Sequence, residues 1–220
     1  QAPGCFDGLQ NGNEDGVDCG GTCELVCPFQ ATEPNIIWSR AFKISDGVYN
    51  VAGLIENPNF DVQLEGVYRF EAYNSSNILI NEIFGDVVGL PAEKKPIFEA
   101  TVNTGFQDIS RVFLKMVGTN TWTKAEQPQQ SVFVTSRKLT DQGTEPKLEV
   151  SLVNRGIIPK RNLSVTSILY DADGNVTQSS QTYLEYIERD STESVFYTWP
   201  EAFEEEVTKI DVFISELDLL

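Results

Sequence analysis

The chain has 220 residues, 33 of them acidic against 16 basic and none of them histidine, for a formal net charge of −17. Such a surface repels phosphate backbones and anionic lipid, which weighs against nucleic-acid and peripheral membrane binding. The missing histidine removes the commonest general base, His-dependent triads and most catalytic zinc sites. Hydrophobic residues at 40% and aromatics at 10% are ordinary for a folded chain, so the charge is read as a solvated acidic surface rather than disorder.

Residues 1–30 hold all four cysteines, five acids and no base, in a run of Pro-Gly, Asp-Gly, Asn-Gly and Gly-Gly turn signals with almost no periodic apolar pattern. A segment this short cannot form its own hydrophobic core, so cross-links or a metal must hold it. Thirteen residues separate Cys5 from Cys19, and the spacing from Cys19 through Cys23 to Cys27 fits neither paired zinc knuckles nor the usual cluster ligand sets. Two disulfides among Cys5, Cys19, Cys23 and Cys27 are expected, with three pairings open. They point to export, and Gln1 is expected to be the mature end left by a signal peptide.

Asn11, Asn13 and Asp15 place oxygen side chains at alternate positions before Gly16, with Asp7 and Asp18 nearby. This is the spacing by which a tight loop wraps calcium, although Thr22 stands where a bidentate glutamate would be needed. Asn-Gly and Asp-Gly also serve plain turns, so a calcium site and a stapled set of turns are both open. No other cofactor is expected.

From residue 36 onward, short apolar stretches recur about every ten residues, at 38–44, 48–56, 66–73, 78–84, 97–102 and 110–116. That spacing is the mark of a β-sandwich. The pattern then repeats. Residues 51–57 read VAGLIEN and residues 148–154 read LEVSLVN, an offset of ninety-seven that also lays Ser39-Arg40 on Ser136-Arg137, Phe42 on Leu139, Asn57 on Asn154, Tyr73 on Tyr170 and Asn74 on Asp171. Near the domain ends, Val112-Phe113-Leu114 matches Val212-Phe213-Ile214 at an offset of one hundred. Where both copies can be compared, Tyr68, Phe70 and Ala72 alternate with Arg69 and Glu71, as Val165, Ser167 and Leu169 do with Thr166 and Ile168, which predicts one core face and one mostly wet face.

The expected architecture is all-β: two tandem immunoglobulin-like β-sandwich domains with a small disulfide-stapled N-terminal module. The boundaries are 1–30 for the module, 31–125 for the first sandwich and 126–220 for the second. Residues 29–35 and 123–130 read as linkers, the second short enough to permit only limited pivoting. Residues 201–207 read as a short helix or an acidic turn.

The run from Cys5-Phe6-Asp7-Gly8 through Asn11-Gly12, Glu14, Gly16 and Asp18-Cys19-Gly20-Gly21 to Cys23 resembles a Cys-rich motif of secreted bacterial proteins. It departs from that motif at Cys27, which three residues separate from Cys23 instead of two. The two large copies resemble the FxLYD family of prokaryotic extracellular β-sandwich domains, on Phe70-Glu71-Ala72-Tyr73-Asn74 and Ser167-Ile168-Leu169-Tyr170-Asp171. The resemblance implies an immunoglobulin-like fold and a secreted or cell-surface prokaryotic setting, without an active site.

No enzyme activity is therefore expected. Some carboxylate pair always exists among 33 acids, and there is no Gly-rich phosphate loop. The expectation is an exported structural or interaction protein that assembles with itself or with other surface proteins, as a subunit of an appendage, filament or adhesin stalk, without membrane insertion. The alternative is an extracellular module binding a glycan or protein, for which Trp38, Trp122 and Trp199 are candidate stacking platforms; Trp38 is expected in the core and Trp122 either exposed or packed on the second domain. Sequons at Asn74, Asn162 and Asn175 would mark surface loops in a eukaryote.

Overall fold

A computed structural model of the chain describes residues 4–216. Gln1 and the last four residues of the second sandwich lie outside the described residues. The chain divides into two compact units, Gln1–Pro128 and Gln129–Leu220. It is all-β: two immunoglobulin-like sandwiches, with a disulfide-stapled module at the start of the first.

In unit 1, β1 (Asn35–Ser45), β2 (Val48–Glu56) and β5 (Lys94–Asn103) form one antiparallel sheet in the order β1-β2-β5. The second sheet has the order β4-β3-β6, from β3 (Val62–Tyr73), β4 (Leu79–Gly89) and β6 (Arg111–Lys124). Val51, Ile55, Leu64, Phe70 and Trp122 fill the space between the sheets and are almost fully buried. Each such side chain contributes roughly 1.5–3 kcal/mol on leaving water.

Unit 2 repeats this arrangement. β7 (Val132–Thr140), β8 (Lys147–Asn154) and β11 (Thr192–Thr198) form a sheet in the order β11-β8-β7. β9 (Lys160–Tyr170), β10 (Val176–Ile187) and β12 (Lys209–Glu216) form the other, in the order β10-β9-β12. Its core is built on Leu148, Val150, Leu152, Leu163, Val165 and Leu169. Residues 201–207 are a loop rather than a helix, with Phe203 edge-on to Trp199 at 5.2 Å.

Two alignments of the repeat shift in the structure. Ala41 lies opposite Val51 and Leu139 opposite Leu148, so Leu139 answers Ala41 and not Phe42. Ser39 and Arg40 move by the same one-residue step. At the other end, Leu114 pairs with Phe70 and Val212 with Ser167, so the last strands match at ninety-eight, not one hundred. The similarity of neighbouring apolar residues hid both slips, which ladder partners resolve.

The expected wet face is also corrected. Glu71 is only 4% exposed, and Thr166 and Ile168 are buried, although they point away from the sandwich interior. Each sits on the middle strand of a three-stranded sheet, flanked by a strand on either side. Arg69 reaches Glu71 at 2.5 Å and lies over the Phe84 ring, while Gln181 spans Ser164 and Thr166.

Candidate functional site

The N-terminal module is the densest set of candidate residues. Cys5 bonds Cys23 and Cys19 bonds Cys27, an interleaved pairing that fixes the connectivity. Two glycines are steric requirements of this arrangement. A Cβ on Gly16 would lie 2.9 Å from the sulfurs of both Cys19 and Cys27, and one on Gly21, which has φ of +55°, would lie 1.5 Å from the carbonyl oxygen of Asn13.

Of the five proposed cation ligands, the structure brings Asp7, Asn11 and Asp18 together. The Asp18 carboxylate accepts the backbone N–H groups of Asp7 and Gly8, and Asp7 accepts from Leu9 N and from Asn11 Nδ2 at 2.8 Å. Asn11 Oδ1 is buried and accepts no hydrogen bond. Asp15 is engaged separately, accepting Gly21 N at 2.7 Å and Gln30 Nε2 at 3.0 Å. The Gln30 bond first, and the Gly21 amide second, hold its carboxyl below the usual range. Asn13 enters through its backbone carbonyl, beneath Gly21. Both oxygens of Asp7 and Asp18 are thus occupied as staples, Asp7 in an Asx turn with Leu9 and Asp18 across the loop to the amides of residues 7 and 8. The Cys5, Glu14 and Cys23 ligand atoms also cluster, but both sulfurs are spent on a disulfide.

The module is joined to the first sandwich by strand addition. Leu25 lies opposite Thr123, Val26 N donates to Trp122 O at 2.9 Å, and Lys124 N donates to Glu24 O at 2.9 Å. Three residues of the module thus pair with the C-terminal end of β6, at 122–124. Lys124 Nζ also donates to Gly21 O at 2.6 Å, and Val26 packs on the core. Residues 29–35 do not behave as a free linker. Ala31 packs on the same core, and Thr32 and Asn59 exchange two hydrogen bonds at 2.8 and 2.9 Å. Beside the joint lies an open hollow of about 480 Å³ lined by Gly20, Gln30, Asp61 and Lys124, among others.

The repeated polar residues play matched roles in the two sandwiches. Asn57 is buried and donates to the carbonyls of Val62, Gly89 and Leu90, and Asn154 donates to those of Ile158 and Ile187. Each ties the loop after its strand to the opposite hairpin. Asn74 Oδ1 accepts Ser76 N and Ile78 N, and Asp171 Oδ1 accepts Asp173 N and Asn175 N. The Tyr-Asn and Tyr-Asp pairs are therefore hairpin turns. The sequon residues Asn74 and Asn175 belong to them.

The tryptophans are not platforms. Trp122 is 1% exposed in the core of unit 1, Trp38 is half-buried, and Trp199 is buried against Tyr197 and Phe203. The exposed aromatics are Tyr183 and several phenylalanines, none of which the sequence had singled out as a platform. Phe84, at 55%, and Phe113, at 45%, share the outer face of the β4-β3-β6 sheet with Arg69, Lys115, Glu71 and Tyr73. Lys115 at 2.7 Å, followed by Tyr73 and Arg69, holds the Glu71 carboxyl below its ordinary range. Phe60, at 82%, and Ile157, at 86%, stand at equivalent positions of the two loops that Asn57 and Asn154 organise. Adjacent Asn and Pro at 57–59 marked the first of these as a loop, and an apolar residue inside it was the available signal.

No protein-family profile matches the chain, and no curated protein does. Among solved structures it is similar to a red sea bream transglutaminase, with 12% identity over 84% of this chain and 29% of that one at a TM-score of 0.29. A β-glucuronidase of glycoside hydrolase family 2 gives 11% identity over 78% of this chain and 23% of that one, at a TM-score of 0.32. The class 5 fimbriae chaperone CfaA gives 11% identity over 83% of this chain and all of that one, at a TM-score of 0.22. The chain spans less than a third of the first two proteins, and likenesses of this size carry no argument about function.

Proposed function

We propose that the chain is a non-catalytic extracellular structural or interaction protein of the FxLYD type, a subunit of a surface appendage, filament or adhesin stalk that assembles with copies of itself. The observation that carries this reading is that the polar residues common to both copies are spent on architecture. Asn57 and Asn154 hold loops, and Asn74 and Asp171 hold turns. A rigid repeated scaffold is the product of such spending. The two disulfides support an oxidising, extracellular setting, and among the described residues no helix is long and apolar enough to cross a membrane.

Light scattering of the chain, with and without calcium and with and without reductant, followed by electron microscopy of any large species, tests it. Ordered assemblies support the reading, and their loss with chelator would give the buried Asn11 oxygen a cation. A monomer under every condition overturns self-assembly.

A second reading, a glycan- or protein-binding module, is favoured by the Phe84 and Phe113 rings flanking the Arg69-Glu71-Lys115 stripe. Aromatic faces beside fixed polar groups are suited to sugar rings. The paired variant Phe84→Ala and Phe113→Ala should abolish any glycan binding detected by calorimetry, and binding that survives it overturns that assignment.

A further inference from the structure

The hollow beside the module joint is a built feature of unit 1 with no part in holding the fold. Three segments wall it, and each is pinned to another. Val26 N donates to Trp122 O, Ala125 N donates to Asp61 O at 3.0 Å, and Val62 pairs with Lys124 in the β3-β6 ladder. Gln30 is held at both ends of its amide, accepting Cys27 N and donating to Asp15. The hollow is therefore preformed, and its volume of about 480 Å³ falls within the roughly 300–1,000 Å³ in which proteins seat ligands.

Its lining combines apolar and acidic groups. Val26 and Val62 belong to the sandwich core. Asp61 and Glu126 are exposed, and neither carboxylate has a hydrogen bond or ion pair among the described residues. Lys124, the base among the lining residues, is already committed, since its ammonium donates to Gly21 O at 2.6 Å with Asp15 nearby to balance it. A group that fits must bring positive charge to Asp61 and Glu126 and a hydrocarbon stem to the two valines. Lysine and arginine side chains have that make-up.

The surroundings favour such a side chain on a polypeptide over a free amine. Phe29 and Phe60 immediately precede Gln30 and Asp61 in the chain and are 74% and 82% exposed. Their backbone is fixed, Phe29 in the helical turn Pro28–Gln30 and Phe60 in the loop that Asn57 and Asn59 brace. Anchored apolar side chains beside a charged hollow offer area to the residues that flank a bound basic one.

We propose that this hollow seats a lysine or arginine side chain of a partner protein, whose neighbouring apolar residues lie against Phe29 and Phe60. Charge complementarity selects the occupant. Residues 1–30 hold five acids and no base, and a second copy of this chain, at −17, is the poorer match. The site lies wholly within unit 1 and takes a partner of opposite charge, so it stands or falls apart from the self-association put forward above.

Titrating the full chain with the capped tripeptide Leu-Arg-Leu in about 0.15 M salt, read by amide NMR, tests it. Saturable shifts are expected at the amides of Gly20, Val26 and Ala125, and citrulline in place of arginine should weaken binding about tenfold or more. The paired variant Asp61→Asn and Glu126→Gln should lose about fivefold in affinity, and Phe60→Ala about threefold through lost apolar area. Glu145→Gln with Glu193→Gln, at exposed positions of unit 2, removes the same charge and should change nothing. Circular dichroism confirms that each variant folds. Absence of binding at millimolar peptide, shifts scattered over the acidic surface, equal losses in the two charge-matched pairs, full affinity in Phe60→Ala, or equal binding of the citrulline peptide overturns the proposal. Putrescine binding as tightly as the tripeptide overturns the protein partner.

Discussion

Asn57 and Asn154 show how much a single side chain can settle. Each is buried at the end of a strand and saturates carbonyl groups that would otherwise face the core without donors. Removing one leaves those acceptors desolvated, at a cost of roughly 1–3 kcal/mol. Asn57→Ala should therefore lower the melting transition of the first sandwich alone and Asn154→Ala that of the second, which calorimetry can resolve. A shift of both transitions by either variant would mean that the two asparagines are not the local devices described here. Both positions were visible in the sequence as repeated residues. Their burial was not, because an asparagine in a loop signal reads as exposed until its carbonyl partners are known.

At the scale of elements, the three module residues on β6 connect the disulfides to the sandwich. Cys19 and Cys27 bracket residues 24–26, so the crosslink holds the added strand in register with Trp122 and Thr123. The double variant Cys19→Ser and Cys27→Ser should cost about 2–4 kcal/mol. It should also raise hydrogen exchange at the amides of Val26 and Lys124, which donate across this joint. Unchanged exchange there would show that the strand docks without its staple. The six expected strands of unit 1 were all found, several of them longer than read, since an apolar pattern marks where a strand is buried and not where its ladder ends. The middle-strand face was misread for a related reason. Alternation assigns a side to Glu71, but Lys115, which pairs with it, lies on β6 and far away in sequence.

Over the whole molecule the charge of −17 opposes association, and residues 126–220 hold seventeen acids against eight bases. Bringing two such copies together is repulsive at long range and screened over a Debye length of about 10 Å at 0.1 M salt. Self-association should therefore strengthen as sodium chloride rises from low to moderate concentration, as sedimentation would record. Weakening with salt would mean that specific ion pairs outweigh the net repulsion.

The sequence by itself determined the all-β class, the duplication and the crosslinked nature of the first thirty residues. Those follow from periodicity, a repeated string and the position of cysteines, which are local or countable properties. Only the tertiary structure decided which cysteines pair, that Trp122 is core, and that the module pairs with the end of β6. Each of these depends on which distant segments lie side by side, and ladder register and burial are set by that contact rather than by any residue's own chemistry.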